Sequence, residues 1–340
     1  MHRRHRGDPV TAIQSSQGSP HARVLGVGSY VPSRVIDNAE VCTWIDSSDE
    51  WIRTRSGITE RRWATEDETV AMMGTAAAKK ALDRAGIAAD QIDAVIVATV
   101  SHFHQTPGVA PQIALEVGAI GAPAYDISAA CAGFCYAIAQ ADALVRSGAA
   151  THVLAIGVER LSDLTNQGDR STAFIFADGA GAAVVGPSDT PGIGPVVWGS
   201  DAERGHLIVQ SEEWGDALKS GVHPTFVMDG NPVFKWAAFE LSKKAGEALE
   251  KAGITADELD VFVPHQANGR ITDAMKRSMG LTDRTLISQN IAKCGNTSAA
   301  SIPAAIDALY DDDAVHTGQT CLIIGFGAGL VYAGQVIVLP

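Results

Sequence analysis

Cys131, His265 and Asn296 are the side chains of this sequence whose types and surroundings point to chemistry. Cys131 lies in YDISAACAGFCYAIAQADALVRS (125–147), a pattern that predicts a short strand over 124–128, a turn of small residues, and a helix with the cysteine at its first position. Phe134, Ile138, Ala141, Leu144 and Val145 recur at helical spacing behind it, and Gly148 supplies the stop. At a helix N-terminus the unpaired N–H groups and the positive end of the macrodipole favour an anion, and thiol pKa values there fall to about 3.5–7.5. A thiolate attacks thioesters, and Ala129, Ala130, Ala132 and Gly133 leave a substrate room to reach the sulfur. The same stretch describes a small buried cysteine in an alanine-rich helix equally well. His265 ends the apolar run LDVFVP, and Asn296 opens GNTSAAS ahead of another helix. Taken singly, the first is an ordinary polar residue at a strand end and the second an ordinary helix cap.

Internal repetition brings the three together. ALDRAGIAADQIDAVIVA (81–98) lines up without gaps on ALEKAGITADELDVFVPH (248–265), with Gly86 on Gly253, Asp90 on Asp257 and Asp93 on Asp260. Carried onward, the same separation pairs Cys131 with Ser298 and, with a one-residue slip, HVLAIG (152–157) with CLIIG (321–325). Each copy alternates helices with buried strands, which predicts an α/β fold of two pseudo-symmetric halves, mixed sheets layered between helices. The first half spans 22–187 and the second 188–340, with 200–233 an insertion rich in turn residues that shapes a pocket or lid along the substrate path. The interface between such halves is a natural place for a site, and the pairing puts residues near 265 and 298 beside Cys131.

Composition narrows the function classes. Twenty-six basic and 39 acidic residues give a net charge of -13, which argues against nucleic acid or an anionic membrane as a global partner. An acidic partner would need a local basic patch. The five cysteines have no spacing that suggests a disulfide framework or a zinc site, so a reducing, cytoplasmic setting and no metal are expected. Residues 1–21 are basic, then polar, without the apolar core of a signal peptide, and are expected to form a disordered arm. No apolar run approaches the roughly 20 residues needed to span a bilayer.

SSDEWIRTRSGI (47–58), DISAACAGF (126–134), DRSTAFIFADGAGAAVV (169–185), VPHQANGRI (263–271), GNTSAASIP (295–303) and GFGAG (325–329), in that order, resemble the thiolase-fold condensing enzymes, most closely the β-ketoacyl-acyl carrier protein synthase III family. The resemblance runs from about residue 23 to the end. It implies a thiolase-like fold, Cys131 as nucleophile, and His265 and Asn296 as the decarboxylation residues. It further implies an oxyanion hole made by the N–H groups of Cys131 and Gly327. Coenzyme A is expected against Trp51, Arg55, Arg170 and Asn268, and the acyl carrier protein against Gln266, Ala267, Asn268, Gly269 and Arg270. Thr106 and Phe326 are expected in the acyl pocket, and a homodimer is implied because the loop before Pro107 reaches the neighbouring subunit's tunnel in the family. The substrates would be acyl-CoA and malonyl-carrier protein, with no cofactor. Three departures are notable: Gly269 replaces a common leucine, Cys294 replaces a histidine, and Thr106 stands where some members carry phenylalanine, which implies a wider pocket. Cys294 is expected to be a buried spectator.

The implied reaction begins with an acyl-cysteine and continues with decarboxylative Claisen condensation. Its setting is either the start of fatty acid synthesis or the supply of an unusual starter to an aromatic polyketide pathway. A non-condensing acyltransferase on the same scaffold would have no use for the His265 and Asn296 pair, and a catalytically silent partner subunit would lack Cys131.

Overall fold

The computed structural model describes residues 13–340. The first sheet is opened by β1 (His21–Tyr30). After a small antiparallel pair, β2 (Arg34–Asp37) and β3 (Glu60–Trp63), come β4 (Ala94–Ala98), β5 (Ala124–Ile127), β6 (Val153–Arg160) and β7 (Asp178–Ser188). They assemble in the order β1-β7-β6-β4-β5. The second sheet begins with β8 (Val197–Ser200); a short pair, β9 (Ile208–Gln210) and β10 (Phe226–Met228), intervenes, and β11 (Val261–Pro264), β12 (Leu286–Ile287), β13 (Thr320–Gly327) and β14 (Val331–Val338) follow. Its order, β8-β14-β13-β11-β12, repeats the first. In each sheet the three strands at one end are parallel and the two at the other antiparallel.

The central strands are apolar on both faces because both faces are covered; every residue of β4 and of β11 is buried. Helices Gly133–Ser147 and Ser301–Asp311 lie between the sheets, where Phe134, Ile138, Ile302 and Ile306 join residues of both sheets in one core. Val70–Ala85 and Ala110–Val117 cover the outer face of the first sheet, and Ser242–Ala252 with Gly269–Ser278 cover that of the second.

The repeat seen in the sequence is written in its terminators. Val70–Ala85 stops at Gly86 (φ 64°) and Ser242–Ala252 at Gly253 (φ 73°), left-handed positions that favour glycine. The Ile87 and Ile254 N–H groups then reach back to the Leu82 and Leu249 carbonyls at 3.2 and 3.1 Å. Asp93 accepts from the Thr151 and His152 N–H groups, and Asp260 from that of Thr320, so each aspartate pins its strand to the next.

Two expectations are corrected. The extra residue that separates the copies enters before the nucleophile turn, so Ala130 (φ 43°) matches Ser298 (φ 48°), the helices at Gly133 and Ser301 match, and Cys131 pairs with Ala299. An ungapped register was carried across a connection that differs in length. The arm expected over 1–21 is fixed at its end: the Ser16 hydroxyl donates to the Ser147 carbonyl (2.6 Å), the Ser19 N–H to that of Val145 (3.3 Å), and His21 opens β1. Residues 1–12 lie outside the described residues.

Each nucleophile-type turn rests on the other half's central strand. A Cβ on Gly157 of β6 would overlap the Ala299 carbonyl, and one on Gly325 of β13 would fall 2.8 Å from the Ala132 Cα and 2.9 Å from the Cys131 oxygen. The obstructing atoms are backbone and cannot swing aside. Gly157→Ala is therefore expected to lower stability by about 3 kcal/mol or more, the upper range for overpacking. Gly215→Ala, at a helical site with nothing within 4 Å, should be neutral or stabilising. Denaturant midpoints of the two variants check this.

Candidate active site

Cys131 sits in a tight turn (Ala130–Ala132) immediately ahead of the helix Gly133–Ser147, and so precedes the helical first position expected for it. Gly133 lets that turn approach β4: a Cβ there would fall 2.7 Å from the Ala98 Cβ. Gly327 ends β13 beside the sulfur, so close that a Cβ on it would fall 2.7 Å from the Cys131 nitrogen and 3.1 Å from Sγ. The backbone amides of Cys131 and Gly327 thus lie next to one another and to the thiol. Burial pushes that thiol up to about 12, with the Ser298 hydrogen bond working in the opposite direction and the nearby Glu159 charge adding to the rise. The expectation of a lowered thiol pKa fails for the resting protein, because loss of hydration disfavours the thiolate more than the surrounding dipoles favour it.

His265 follows β11 and is buried. Its N–H donates to the Ile324 carbonyl (2.8 Å), which fixes the backbone against β13. The Ser301 hydroxyl accepts the Gln266 N–H at 3.3 Å and lies 2.7 Å from His265 Nδ1. The tautomer with its proton on Nε2 pairs Nδ1 with the Ser301 hydroxyl as donor and is the one that presents an N–H to the cavity. Burial also lowers the imidazole to about 3, so it is neutral near pH 7. Phe326 packs edge-on against it, ring centres 5.2 Å apart.

Asn296 is held by backbone from the other half: its N–H donates to the Ile175 carbonyl (3.0 Å) and its own carbonyl accepts from Ala177 (2.9 Å). Its Oδ1 accepts the Ser298 N–H (2.9 Å), so the Nδ2 hydrogens remain for the cavity it lines. The buried Arg61 steadies the same wall by donating to the Phe174 carbonyl at 3.1 Å and to Asn38 Oδ1 at 2.7 Å.

Cys131, His265, Asn296, Phe326 and Gly327 share one cavity of about 740 Å³. Phe174, Ile175 and Phe176 form one apolar side, and Ile208 with Met228 to Asn231, from the insertion, form another. At its mouth Arg170 lies over Trp51 at 4.6 Å and Arg55 at 5.9 Å, while Arg170 Nε donates to the Asp46 carbonyl (2.6 Å). Arg270 is exposed and lies 5.1 Å over Phe234. Three guanidinium groups at one opening of an acidic protein make the local basic patch that an acidic partner requires.

Several expected contacts are placed differently. Gln266 is 1% exposed and spends its amide on the Pro264 carbonyl and the Ile291 N–H, so it holds the loop and presents nothing to a partner. Gly269 is buried where its helix meets Ser56, and a Cβ would fall 3.1 Å from the Ser56 carbonyl; its lack of a side chain serves packing rather than docking. Asn268 lines the cavity, but its amide caps the helix at Arg270 N–H (2.9 Å) and binds the Arg55 carbonyl (3.0 Å). Ala267 is half-buried in the wall. Thr106 is exposed on a loop outside the cavity, so within one chain it does not line the acyl pocket. Cys294 is outside the cavity too, its Sγ 3.5 Å from Asn290 Oδ1.

Glu159 and Ser301 were not singled out from the sequence. A lone carboxylate ending the apolar run VLAIGVER was the available signal for the first. Ser301 carried none, because its partner is 36 residues away.

A thiol on one repeat, with an imidazole and a carboxamide on the other and both at a seam between α/β halves, is the arrangement of a thiolase-like, acyl-transferring condensing enzyme. The family models for 3-oxoacyl-[acyl-carrier-protein] synthase III match at residues 125–202 and, for its C-terminal part, 249–339. A β-ketoacyl-[acyl-carrier-protein] synthase III of Streptomyces glaucescens is 51% identical, over 97% of this chain and 100% of that protein. Among solved structures, the priming β-ketosynthase from the R1128 polyketide biosynthetic pathway superposes with a TM-score of 0.94 at 48% identity, over 98% and 99% of the two chains. The 3-oxoacyl-[acyl-carrier-protein] synthase III of Aquifex aeolicus VF5 does so at 0.87 and 36%, over 93% and 99%. This chain belongs to the β-ketoacyl-acyl carrier protein synthase III family.

A neutral His265 has a direct signature. Its ring resonances should not titrate between pH 5 and 8 in NMR spectra of histidine-labelled protein, because protonation awaits a fall toward pH 3; an inflection near 6.5 assigned to His265 would contradict the buried, Ser301-bound ring.

Proposed function

We propose that Cys131 accepts an acyl group from acyl-CoA and passes it to malonyl-carrier protein with loss of CO₂, giving a 3-oxoacyl-carrier protein. The observation that supports this most is the shared cavity: Cys131, His265, Asn296 and Gly327 line one space, with the Gly327 backbone against the Cys131 nitrogen and sulfur. In the first half-reaction the Cys131 sulfur attacks the thioester carbon, its oxyanion turns toward the Cys131 and Gly327 N–H groups, and coenzyme A leaves. In the second, the malonyl thioester oxygen lies against His265 Nε2–H and Asn296 Nδ2–H. Carbon dioxide departs leaving its electron pair as an enolate, which attacks the acyl carbon and expels Cys131. Each preoriented donor is worth about 2.7–4 kcal/mol where single donors have been removed. The scheme needs neither metal nor redox cofactor.

Trp51 with Arg55 and Arg170 would receive the nucleotide end of coenzyme A, and Arg270 the acidic carrier protein. Thr106 would reach the acyl pocket of a second copy in a homodimer; the exposed Phe103, Trp214 and Leu218 beside that loop, 43%, 42% and 86% accessible, support such a contact. A threonine there leaves space for starters larger than acetyl. The likeness to a polyketide priming enzyme favours starter supply as a second reading beside initiation of fatty acid synthesis. Five free cysteines support a reducing, cytoplasmic setting.

Intact-protein mass spectrometry after incubation with acetyl-CoA and isobutyryl-CoA should locate an adduct on Cys131 that Cys131→Ser abolishes. An acetyl-only result would remove the wide-pocket reading. His265→Ala and Asn296→Ala should acylate within about threefold of wild type yet lose roughly 10²–10³ in CO₂ release from malonyl-carrier protein. Arg270→Glu should raise KM for the carrier protein while leaving acylation by acyl-CoA unchanged; equal effects on both steps would place Arg270 elsewhere in the cycle.

A further inference from the structure

The backbone against which Asn296 is held lies outside both large sheets. Residues 171–175 run as turns, Phe176 makes a single parallel bridge to Asn296, and β7 starts only at Asp178. The small antiparallel pair β2–β3 supports this stretch from behind. In β3 the side chains of Arg61 and Trp63 are buried, at 0% and 4% exposure, and those of Glu60 and Arg62 only half-buried. Arg61 Nη2 donates to the Phe174 carbonyl and Trp63 Nε1 to the Phe176 carbonyl, each at 3.1 Å. The Ile175 carbonyl between them takes the Asn296 N–H at 3.0 Å. Residues two apart on one face of β3 thus hold carbonyls two apart on the cavity wall, and the one between is left for Asn296.

Arg61 also touches the other side of that bridge. A Cβ on Gly295 would fall 2.8 Å from the Arg61 Cβ and 3.0 Å from the Ala177 Cβ, and Gly295 is left-handed (φ 68°), so a glycine is needed where the chain turns into Asn296. Nη1 of Arg61 donates to the Ile36 carbonyl (3.1 Å) and Nη2 to Asn38 Oδ1 (2.7 Å), which anchors the guanidinium to β2 and to the residue that follows it. A charge is costly to bury, and apolar side chains of similar volume often serve stability as well or better. Arg61 directs its charge at three uncharged carbonyl oxygens, so what the fold gains from it is the placement of those carbonyls. We propose that Arg61 and Trp63 are positioning residues for the malonyl half-reaction: they hold the Phe174–Phe176 backbone and, through its bridge, set where the Asn296 carboxamide meets the substrate. The Cys131 turn has supports of its own, Gly325 and Gly327 of β13. Loosening the β3 contacts therefore reaches the second step and spares the nucleophile.

This inference rests on Asn296 serving the malonyl step, and the test separates the two. Trp63→Phe keeps a ring against Trp44, 5.0 Å away, and removes the N–H. Arg61→Lys keeps the charge and gives up the planar fork. Each is made alone and together with Asn296→Ala in the full chain. Acylation at saturating acetyl-CoA is followed by intact-protein mass spectrometry, and release of labelled CO₂ from malonyl-carrier protein is measured over a range of carrier concentrations. Both single variants should acylate within about threefold of wild type, keep KM for the carrier, and lower kcat for CO₂ release by about tenfold, part of the roughly hundredfold that a 1 Å misplacement costs. On the Asn296→Ala background neither should lower it further, because the group they position is gone. If Arg61→Lys does not fold, Trp63→Phe carries the test. An unchanged kcat for CO₂ release, equal losses in both half-reactions, or losses that multiply with that of Asn296→Ala would overturn the positioning role while leaving Asn296 in the malonyl step. Wild-type CO₂ release by Asn296→Ala itself would overturn the underlying reading as well.

Discussion

The site depends on a steric constraint at the seam: each half lays a tight turn directly on a glycine of the other half's central strand. Gly157 receives the turn around Ala299, and Gly325 receives the turn around Cys131. These are backbone-to-backbone contacts, closer than any side chain permits, and they set the sulfur's position more firmly than rotamer packing could. Two residues further along the same strands, the halves diverge. β13 ends at Gly327, whose bare backbone stands beside the thiol, whereas the equivalent place on β6 carries Glu159 beneath Ser298. Duplication thus supplies one such position at each turn, and the chain leaves bare backbone beside the thiol and puts a carboxylate beneath Ser298 at the other.

Electrostatics in the cavity follow from exclusion of water. Burial raises the thiol and the Glu159 carboxyl and lowers the imidazole, in each case favouring the neutral form. The polar groups that remain are dipolar and already oriented: Ser301 holds the imidazole at Nδ1, and the Ser298 N–H fixes the Asn296 amide. Full positive charges stay at the mouth, on Arg55, Arg170 and Arg270. Charge that develops inside is met by fixed donors rather than by reorganising solvent.

The duplicated fold was legible because its signals are local: glycines that end helices, aspartates that pin strands, and runs apolar on both faces. The pairing of Gly86 with Gly253 and Asp93 with Asp260 holds in the structure as it does in the sequence. The same logic brought Cys131, His265 and Asn296 to one seam, although it misplaced the partner of Cys131 by one position where the connection changes length. What stayed hidden depends on three-dimensional surroundings. Helix-end reasoning predicted an acidic thiol because it sees the dipole but not the walls. Gln266 and Gly269 looked like docking residues because a motif does not say which of its members point inward. Thr106 looked like a pocket residue because a loop's sequence does not say how far it stands from its own chain's cavity.

The stacking of Arg170 on Trp51 gives the entrance an occupant of its own. An aromatic base arriving there exchanges one planar partner of the indole for another instead of covering a bare ring, so part of the stacking gain, about 0.5–1 kcal/mol for an exposed cation–π contact, is already present in the empty protein. The arginine, tethered to the Asp46 carbonyl, is close enough to return once the ring is free. For the proposed two-substrate reaction, in which the second donor would follow the first through one doorway, such a latch would moderate the grip on the spent carrier and help to clear the threshold.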